Sequence, residues 1–447
     1  MSELSDTLCW LLEKTKSLGA DAADGLCMQS TEFTMSQRMG KPEDIGRSES
    51  AVLGLRAFCG KQQAIVSSTD LSRNALAELA EHAVSMARVT PADPDSGLAE
   101  REQLADNSIE LDLADAYEPD STWLANQCKK AEEAALGTQG ITNSEGAEAS
   151  YSNLHIHLGI NGHGVQFVKS YRGSMFSTSV SVLAGKDTSM ERDYEFSSKR
   201  HHAELTAPEI IGKQAAERAL ARLNPRKVAT CSVPVVFDPR VSRGLVSIFT
   251  SAISGNAITR GASFLKDAMG QQVFNQNISI IDDPHILRGI ASKPFDAEGV
   301  KNAKRMLLED GVLKSWILDI RTANKLGLKS TGNASRSPAS PPSPSATNTY
   351  MQNGKISVKD LLGDIKNGFY VTETFGMGVN IITGDYSQGA SGFWIENGEI
   401  AYPVSEITIA GKLQDMFKTA MPANDLTLRY ATNAPTVRID AMTIAGV

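Results

Sequence analysis

Between residues 140 and 183 the chain offers four strand-like runs in succession: 140–148, 151–160, 164–171 and 175–183. They read as strands, in which successive residues point to opposite faces. Asn161-Gly162 stands between the second and third runs. This dipeptide tolerates the left-handed backbone of a tight turn, so it predicts a hairpin reversing there. A chain built around such a stretch contains a sheet.

Helical spacing appears on both sides of it. Leu4, Leu8, Leu11 and Leu12 predict an opening amphipathic helix. Residues 51–58 and 62–68 read as two strands around the loop Cys59-Gly60-Lys61. A helix over 70–89 carries the apolar stripe Leu76, Leu79, Ala80, Ala83 and Ala87, with His82 at its solvated or core-edge side. Helices are also predicted over 121–136 and over 208–223, where Pro208 suits an early helical position. A buried strand over 231–237 and a helix over 241–253, ending at Gly255, follow. The remainder is strand-rich and punctuated by glycine.

The segment 89–115, rich in Pro, Asp, Glu and Ser, reads as a linker, and Arg226 marks a second boundary. The expected fold is α+β. Mixed sheets with packed helices form an N-terminal domain (1–105) and a middle domain (106–225), and a strand-rich C-terminal domain spans 226–447. Residues 337–345, with four prolines, cannot be helical and form either an ordered turn or a mobile loop.

Charge and cysteine usage narrow the class. The 447 residues include 44 Lys+Arg and 52 Asp+Glu, a formal net charge of −8. That balance argues against a general nucleic-acid binder, which needs a basic face. Glu3 and Asp6 stand where a secretory signal would be positive, and no run reaches the ~18 apolar residues of a membrane span. The five cysteines, Cys9, Cys27, Cys59, Cys128 and Cys231, are odd in number and contain no C-x-x-C pair. Reduced thiols in a cytoplasmic protein fit best.

Motifs for hydrolysis are scarce. Neither H-E-x-x-H nor H-E-x-x-x-H occurs, nor a Walker loop, nor a G-x-S-x-G elbow. Gly376-Met377-Gly378 is a lone G-x-G, most simply a strand-edge turn. His155 and His157 share one strand face, with Leu154, Ile156, Leu158 and Ile160 on the other. With His163 past the turn they make a candidate three-imidazole zinc site. The plainer reading is the solvent face of an amphipathic hairpin, since no acidic partner stands at an obvious position. His201-His202 reads as a basic surface tip, and His285 follows Asp282-Asp283-Pro284. The polar stretches 330–336 and 372–376 combine Gly with Thr or Asn, which permits close approach of a ligand to backbone donors.

Several long strings are more specific. They are Leu223-Asn-Pro-Arg-Lys227, Ser292-Lys-Pro-Phe-Asp-Ala-Glu-Gly299, Lys325-Leu-Gly-Leu-Lys-Ser-Thr-Gly332 and Ile382-Thr-Gly-Asp-Tyr-Ser387. Gly392-Phe-Trp-Ile-Glu-Asn-Gly-Glu-Ile400 and Tyr402-Pro-Val-Ser-Glu-Ile-Thr-Ile-Ala-Gly411 continue them. In order and spacing, from about Gly19 to Gly446, the chain resembles the TldD/PmbA family, once named modulators of DNA gyrase, and most of all its PmbA (TldE) branch. The resemblance implies a cytoplasmic metalloprotease system acting on peptides and unfolded chains, in peptide-antibiotic maturation and antitoxin turnover. It also implies an α+β fold in three regions.

In the TldD branch a helix carries His-Glu-x-x-x-His, and a cysteine near the C-terminus completes the metal site. The corresponding helix here, about 241–255, presents Ile248, Phe249, Thr250 and Ser251, and no cysteine follows Cys231. None of these residues is a good zinc ligand. The resemblance therefore implies a chain with no catalytic or metal residues of its own, paired as a heterodimer with a TldD-type subunit that holds the zinc. Alone it would be a possible homodimer, with neither membrane nor direct nucleic-acid binding. Arg260, Asn333, Arg336 and Asn348 are the candidate peptide- or partner-contact residues. The alternatives are an autonomous metallohydrolase using His155, His157 and His163, or a non-enzymatic regulator acting on DNA gyrase or an RNA-binding regulator.

Overall fold

The computed structural model describes residues 3–106, 109–162 and 164–446. Six strands form one antiparallel sheet: β1 (Ala22–Arg38), β2 (Lys41–Cys59), β3 (Gln62–Ser68), β4 (Ile141–Gly162), β5 (Val165–Ala184) and β6 (Glu191–Lys199). Their order is β3-β2-β1-β4-β5-β6. The segments 1–105 and 106–225 thus contribute three strands each to a single sheet, joined by the β1–β4 ladder.

The four runs between 140 and 183 are in fact two long strands. Ala149-Ser150 does not break β4, because ladders on both sides continue through it, and Gly173 does not break β5, because its ladder to β4 continues. The reversal also comes later than Asn161-Gly162. Asn161 pairs with Gln166 and Ala23, and Gly162 pairs with Val165. The ladder to β5 carries the strand through the dipeptide, and His163 lies outside the described residues.

Helices cover one face in two pairs. Leu8, Leu11 and Leu12 of α1 (Glu3–Ser17) and Leu76, Ala80 and Ala83 of α2 (Arg73–Ala87) pack on Ala23 and Cys27 of β1 and Leu53 and Leu55 of β2. Ser72 caps α2 by accepting from the Ala75 amide. On the other half, Leu124, Cys128 and Ala131 of α3 (Ser121–Leu136) and Ile211 and Ala215 of α4 (Pro208–Ala221) pack on Phe33, Met35, Tyr151 and Phe176.

The C-terminal region covers the opposite face. Leu26, Leu158 and Ile160 meet Phe295, Val300 and Ile320 there. The 89–115 segment, expected as a linker, is wedged into this seam by Leu98, Ala99, Leu104 and Ala105. Four to seven per cent exposure at Leu98 and Leu104 shows why its polar composition misleads.

Strand β7 (Cys231–Phe237) begins a closed ring. It pairs with Asn367–Phe375 in parallel and with Val437–Ala445 antiparallel. Glu399–Lys412 and Asp385–Glu396 follow, and the last pairs back to Asn367–Phe375. Helix α5 (Pro239–Ala252) packs Leu245, Val246 and Phe249 into the core beside this barrel.

The proline segment 337–345 is ordered. Ser343–Pro344 pairs with Ala334–Ser335, and Pro338 lies directly on β2. A Cβ at Gly54 would stand 1.8 Å from the Pro338 carbonyl oxygen, so only glycine admits this approach. Gly54→Ala is therefore expected to lift the segment from the sheet at a cost of ~1–3 kcal/mol, the range for overpacking. A thermal melt and faster proteolytic cutting within 337–345 would register it; an unchanged melting temperature would contradict the contact.

A buried ionic cluster joins sheet to C-terminal region. Asp24 of β1 is fully buried and accepts from Arg56 of β2 and, at 2.8 Å, from Arg336 Nη1. Burial opposes its ionisation, but Arg336 and Arg56 outweigh this and hold the carboxyl below the usual carboxylate range. Glu298 lies 3.7 Å from Arg56 and accepts from the Ile320 amide. Burial pushes its carboxyl up to about 8.

Candidate functional site

Helix α5 starts abruptly because Pro239 fixes its first turn and Asp238 caps it by accepting from the Arg240 amide. Tyr370 donates to Asp238 Oδ2 at 3.0 Å, and the Asp238 amide donates to the Val371 carbonyl. The ladder between β7 and Asn367–Phe375 ends at Val371. Beyond it, Thr372, Glu373 and Thr374 run beside α5 with no described strand on that side. A groove of about 370 Å³ opens between them, lined also by Tyr194, Arg240, Arg243, Gly244 and Ser247.

The acid that lines it and the acids beside it pair with arginines. Arg240 pairs with Asp193 at 3.0 Å and stacks on Tyr194, 4.5 Å from the ring centre. Arg222 bridges Asp193 at 3.3 Å and Glu373 at 2.7 Å. Arg218 and Arg429 hold Glu195. Arg243 stacks on Tyr430 at 4.4 Å.

The residues of α5 at and beyond this groove do not fit a metal. Ser247 and Ser251 are exposed and Thr250 half-buried, and all three donate their hydroxyls to carbonyls of the helix itself. Phe249 is in the core, with Ile248 packed against it. Neutral hydroxyls and hydrocarbon are poor zinc ligands. Among the described residues, no group of three or more His, Cys, Asp or Glu side chains is arranged to hold a metal ion. The groove offers an open strand edge, hydroxyls, guanidinium groups and the single carboxylate Glu373.

The four candidate contact residues lie elsewhere. Asn333 is buried, donating to Asp282 Oδ2 at 2.8 Å and accepting from Thr331. Asn348 is buried too, donating to the Asp283 carbonyl and to Ser292 Oγ while accepting from the Ala291 amide. These two meet around one loop system. Arg336 sits in the ionic cluster with Asp24. Arg260 is exposed at the C-terminal end of the short helix Gly255–Thr259, apart from the others. Sequence reasoning singled out Thr372–Thr374 but missed Tyr194, Arg240 and Arg243. The i, i+3 spacing of the two arginines, at and just before the start of the predicted helix 241–253, was the available signal.

A second concavity, of about 470 Å³, lies on the sheet between the two helix pairs. The register aligns Ala51, Gln29, His155 and Arg172 in one row across four strands, and Glu49, Thr31 and Asn153 in the next. His155 and His157 do share a face, but it is not a solvent face. His157 is fully buried beneath α1, 3.1 Å from Ser5 Oγ, with its Nε2 3.2 Å from His155 Nδ1. The end of β4 at Gly162 lies five residues on, ~17 Å along the strand.

The other histidines have local partners. His202 Nδ1 is 2.7 Å from Asp115 Oδ2, and His201 Nε2 is 3.3 Å from Asp112 Oδ1, so the expected basic tip is a corner in which both imidazoles meet carboxylates. His285 Nε2 meets Asn302 Oδ1 at 2.7 Å.

Burial, then His157 and Arg172, push the His155 imidazole down to about 4 from 6.5. Below pH 6.5 the unfolded chain takes up a proton that the folded chain refuses. The stability this group contributes is therefore complete above 6.5 and lost as pH falls towards 4. His155→Gln is expected to lose less melting temperature than the parent chain between those values. Parallel melting curves would contradict the assignment.

Comparison with known proteins identifies the family. Residues 26–87 match the PmbA/TldA metallopeptidase domain 1, residues 167–223 the central domain and residues 230–446 the C-terminal domain. The chain belongs to the PmbA/TldD metallopeptidase family. Within it the chain falls in the PmbA branch: it is 37% identical to the metalloprotease PmbA of Escherichia coli O157:H7, over 96% of this chain and 93% of that protein.

Two solved structures share the fold. A crystal structure from Bacteroides thetaiotaomicron has a TM-score of 0.90 at 23% identity, covering 100% of both chains. TldE from Thermococcus kodakarensis has a TM-score of 0.87 at 21% identity, covering 98% of this chain and 100% of that one. Among the described residues no helix is long and apolar enough to cross a membrane.

Proposed function

We propose that this chain is the metal-free, PmbA/TldE-like subunit of a cytoplasmic peptidase, and that a TldD-type chain supplies the zinc and the hydrolytic step. The substrates would be peptides and unfolded chains. The observation carrying this reading is the α5 groove: an open strand edge faces a helix that presents arginine, glycine and serine there instead of imidazole, thiolate or carboxylate. An extended peptide can be held through its backbone by such an edge, with little regard to its sequence. In this scheme Arg260 is a partner contact. Asn333, Asn348 and Arg336 act at one remove, by fixing the 330–349 segment against the sheet.

Co-purification with a TldD-type chain and metal analysis of each chain test the proposal. A stable pair with zinc confined to the partner is expected. Stoichiometric zinc retained by the isolated chain would overturn it, and its loss in a His155→Ala/His157→Ala variant would point to the histidine-based metallohydrolase.

A further inference from the structure

We propose that the α5 groove selects peptides bearing a carboxylate, with Arg243 as its anchor. This rests on the reading of that groove as a peptide-holding cleft. The basis is a difference among the guanidinium groups around it. Arg240 is committed to Asp193 and to the Tyr194 ring. Arg222 and Arg192 are committed to Glu373, and Arg218 and Arg429 to Glu195.

Arg243 also lines the groove, yet no described carboxylate pairs with it. Its Nε donates to the Arg240 carbonyl at 3.1 Å, and its face lies on Tyr430. The hydrogen bond and the stacking hold the planar group in one orientation. Neither uses Nη1 or Nη2, the edge that pairs bidentately with a carboxylate.

Position favours the same ligand. The one acid lining the groove, Glu373, is already neutralised by two arginines, so it does not repel an incoming anion. Arg243 sits beside Gly244, where even an added Cβ would meet nothing within 4 Å. Thr372–Thr374 offer backbone to a peptide on the opposite wall. An extended peptide running along that edge can therefore reach Arg243 with a terminal carboxylate or with an Asp or Glu side chain. The two share one chemistry and differ in where the peptide must stop.

Fluorescence anisotropy with three labelled hexapeptides tests this on the full chain. One has a free C-terminus and no acidic residue, the second is the same peptide amidated, and the third is amidated with one internal Glu. The free acid, the Glu peptide or both are expected to bind at least roughly 10-fold tighter than the plain amide, as a charge-assisted hydrogen bond would give. Which of them does so identifies the source of the carboxylate. Arg243→Gln should erase that preference, so that all three peptides bind the variant alike, and Arg243→Lys should restore it only in part, lacking the fork. Equal binding of all three peptides to the parent chain overturns the carboxylate proposal and leaves the cleft reading standing. Absence of binding by all three overturns both.

Discussion

Asp24→Ala is expected to destabilise the folded chain by ~3–5 kcal/mol, the cost of stripping one partner from a buried ion pair. Asp24 is fully buried, and two guanidinium groups converge on it: Arg56 from the neighbouring strand and Arg336 from 312 residues away. Arg336 has no other described side-chain partner, since its Nε and Nη2 are buried without hydrogen bonds. Removing the carboxylate would leave two buried cations and only Glu298, whose carboxyl burial already holds protonated at neutral pH. Because Asp24's carboxyl is depressed in the folded state, its contribution is present above pH 3.8 and lost as pH falls further. Equilibrium denaturation at pH 7 would measure the loss. A change under ~1 kcal/mol would mean that the cluster does not hold the sheet to the C-terminal region.

Gly244→Leu is expected to separate stability from function. Nothing lies within 4 Å of a Cβ at this position, and the glycine sits inside α5. Leucine favours the helix there by ~0.5–1 kcal/mol over glycine. The same side chain projects into the groove between α5 and Thr372–Thr374. The variant should melt no lower than the parent chain, while hydrolysis by the complex with a TldD-type subunit falls at least roughly 10-fold, the minimum effect of losing one well-made substrate contact. Unimpaired hydrolysis with intact folding would place the peptide elsewhere.

Local signals carried much of the fold. The helix expected over 121–136 is the observed α3, and Cys59-Gly60-Lys61 does turn a hairpin. Strand β1 escaped notice because its middle, Gln29 to Glu32, is polar on both faces and floors an open concavity instead of a core. The long strand β4 was legible only in pieces, since its continuity comes from neighbours on both sides. His157 read as a surface residue because its cover, Ser5 on α1, lies 152 residues earlier.

The site followed the same division. The residue types along α5 were legible in the sequence. The groove was not, because Tyr194, Arg243 and Thr372–Thr374 come from three distant segments. Asn333 and Asn348 looked like ligand contacts since polar residues beside glycine suit that role. Their hydrogen bonds are instead spent on Asp282, Asp283 and Ser292.

The division of labour itself is tested most directly by peptide hydrolysis measured for this chain alone, for a TldD-type partner alone and for the mixture, each with and without a zinc chelator. The expected result is no chelator-sensitive hydrolysis by this chain alone, with chelator-sensitive hydrolysis by the mixture exceeding the partner's own. Chelator-sensitive hydrolysis by this chain alone would contradict it.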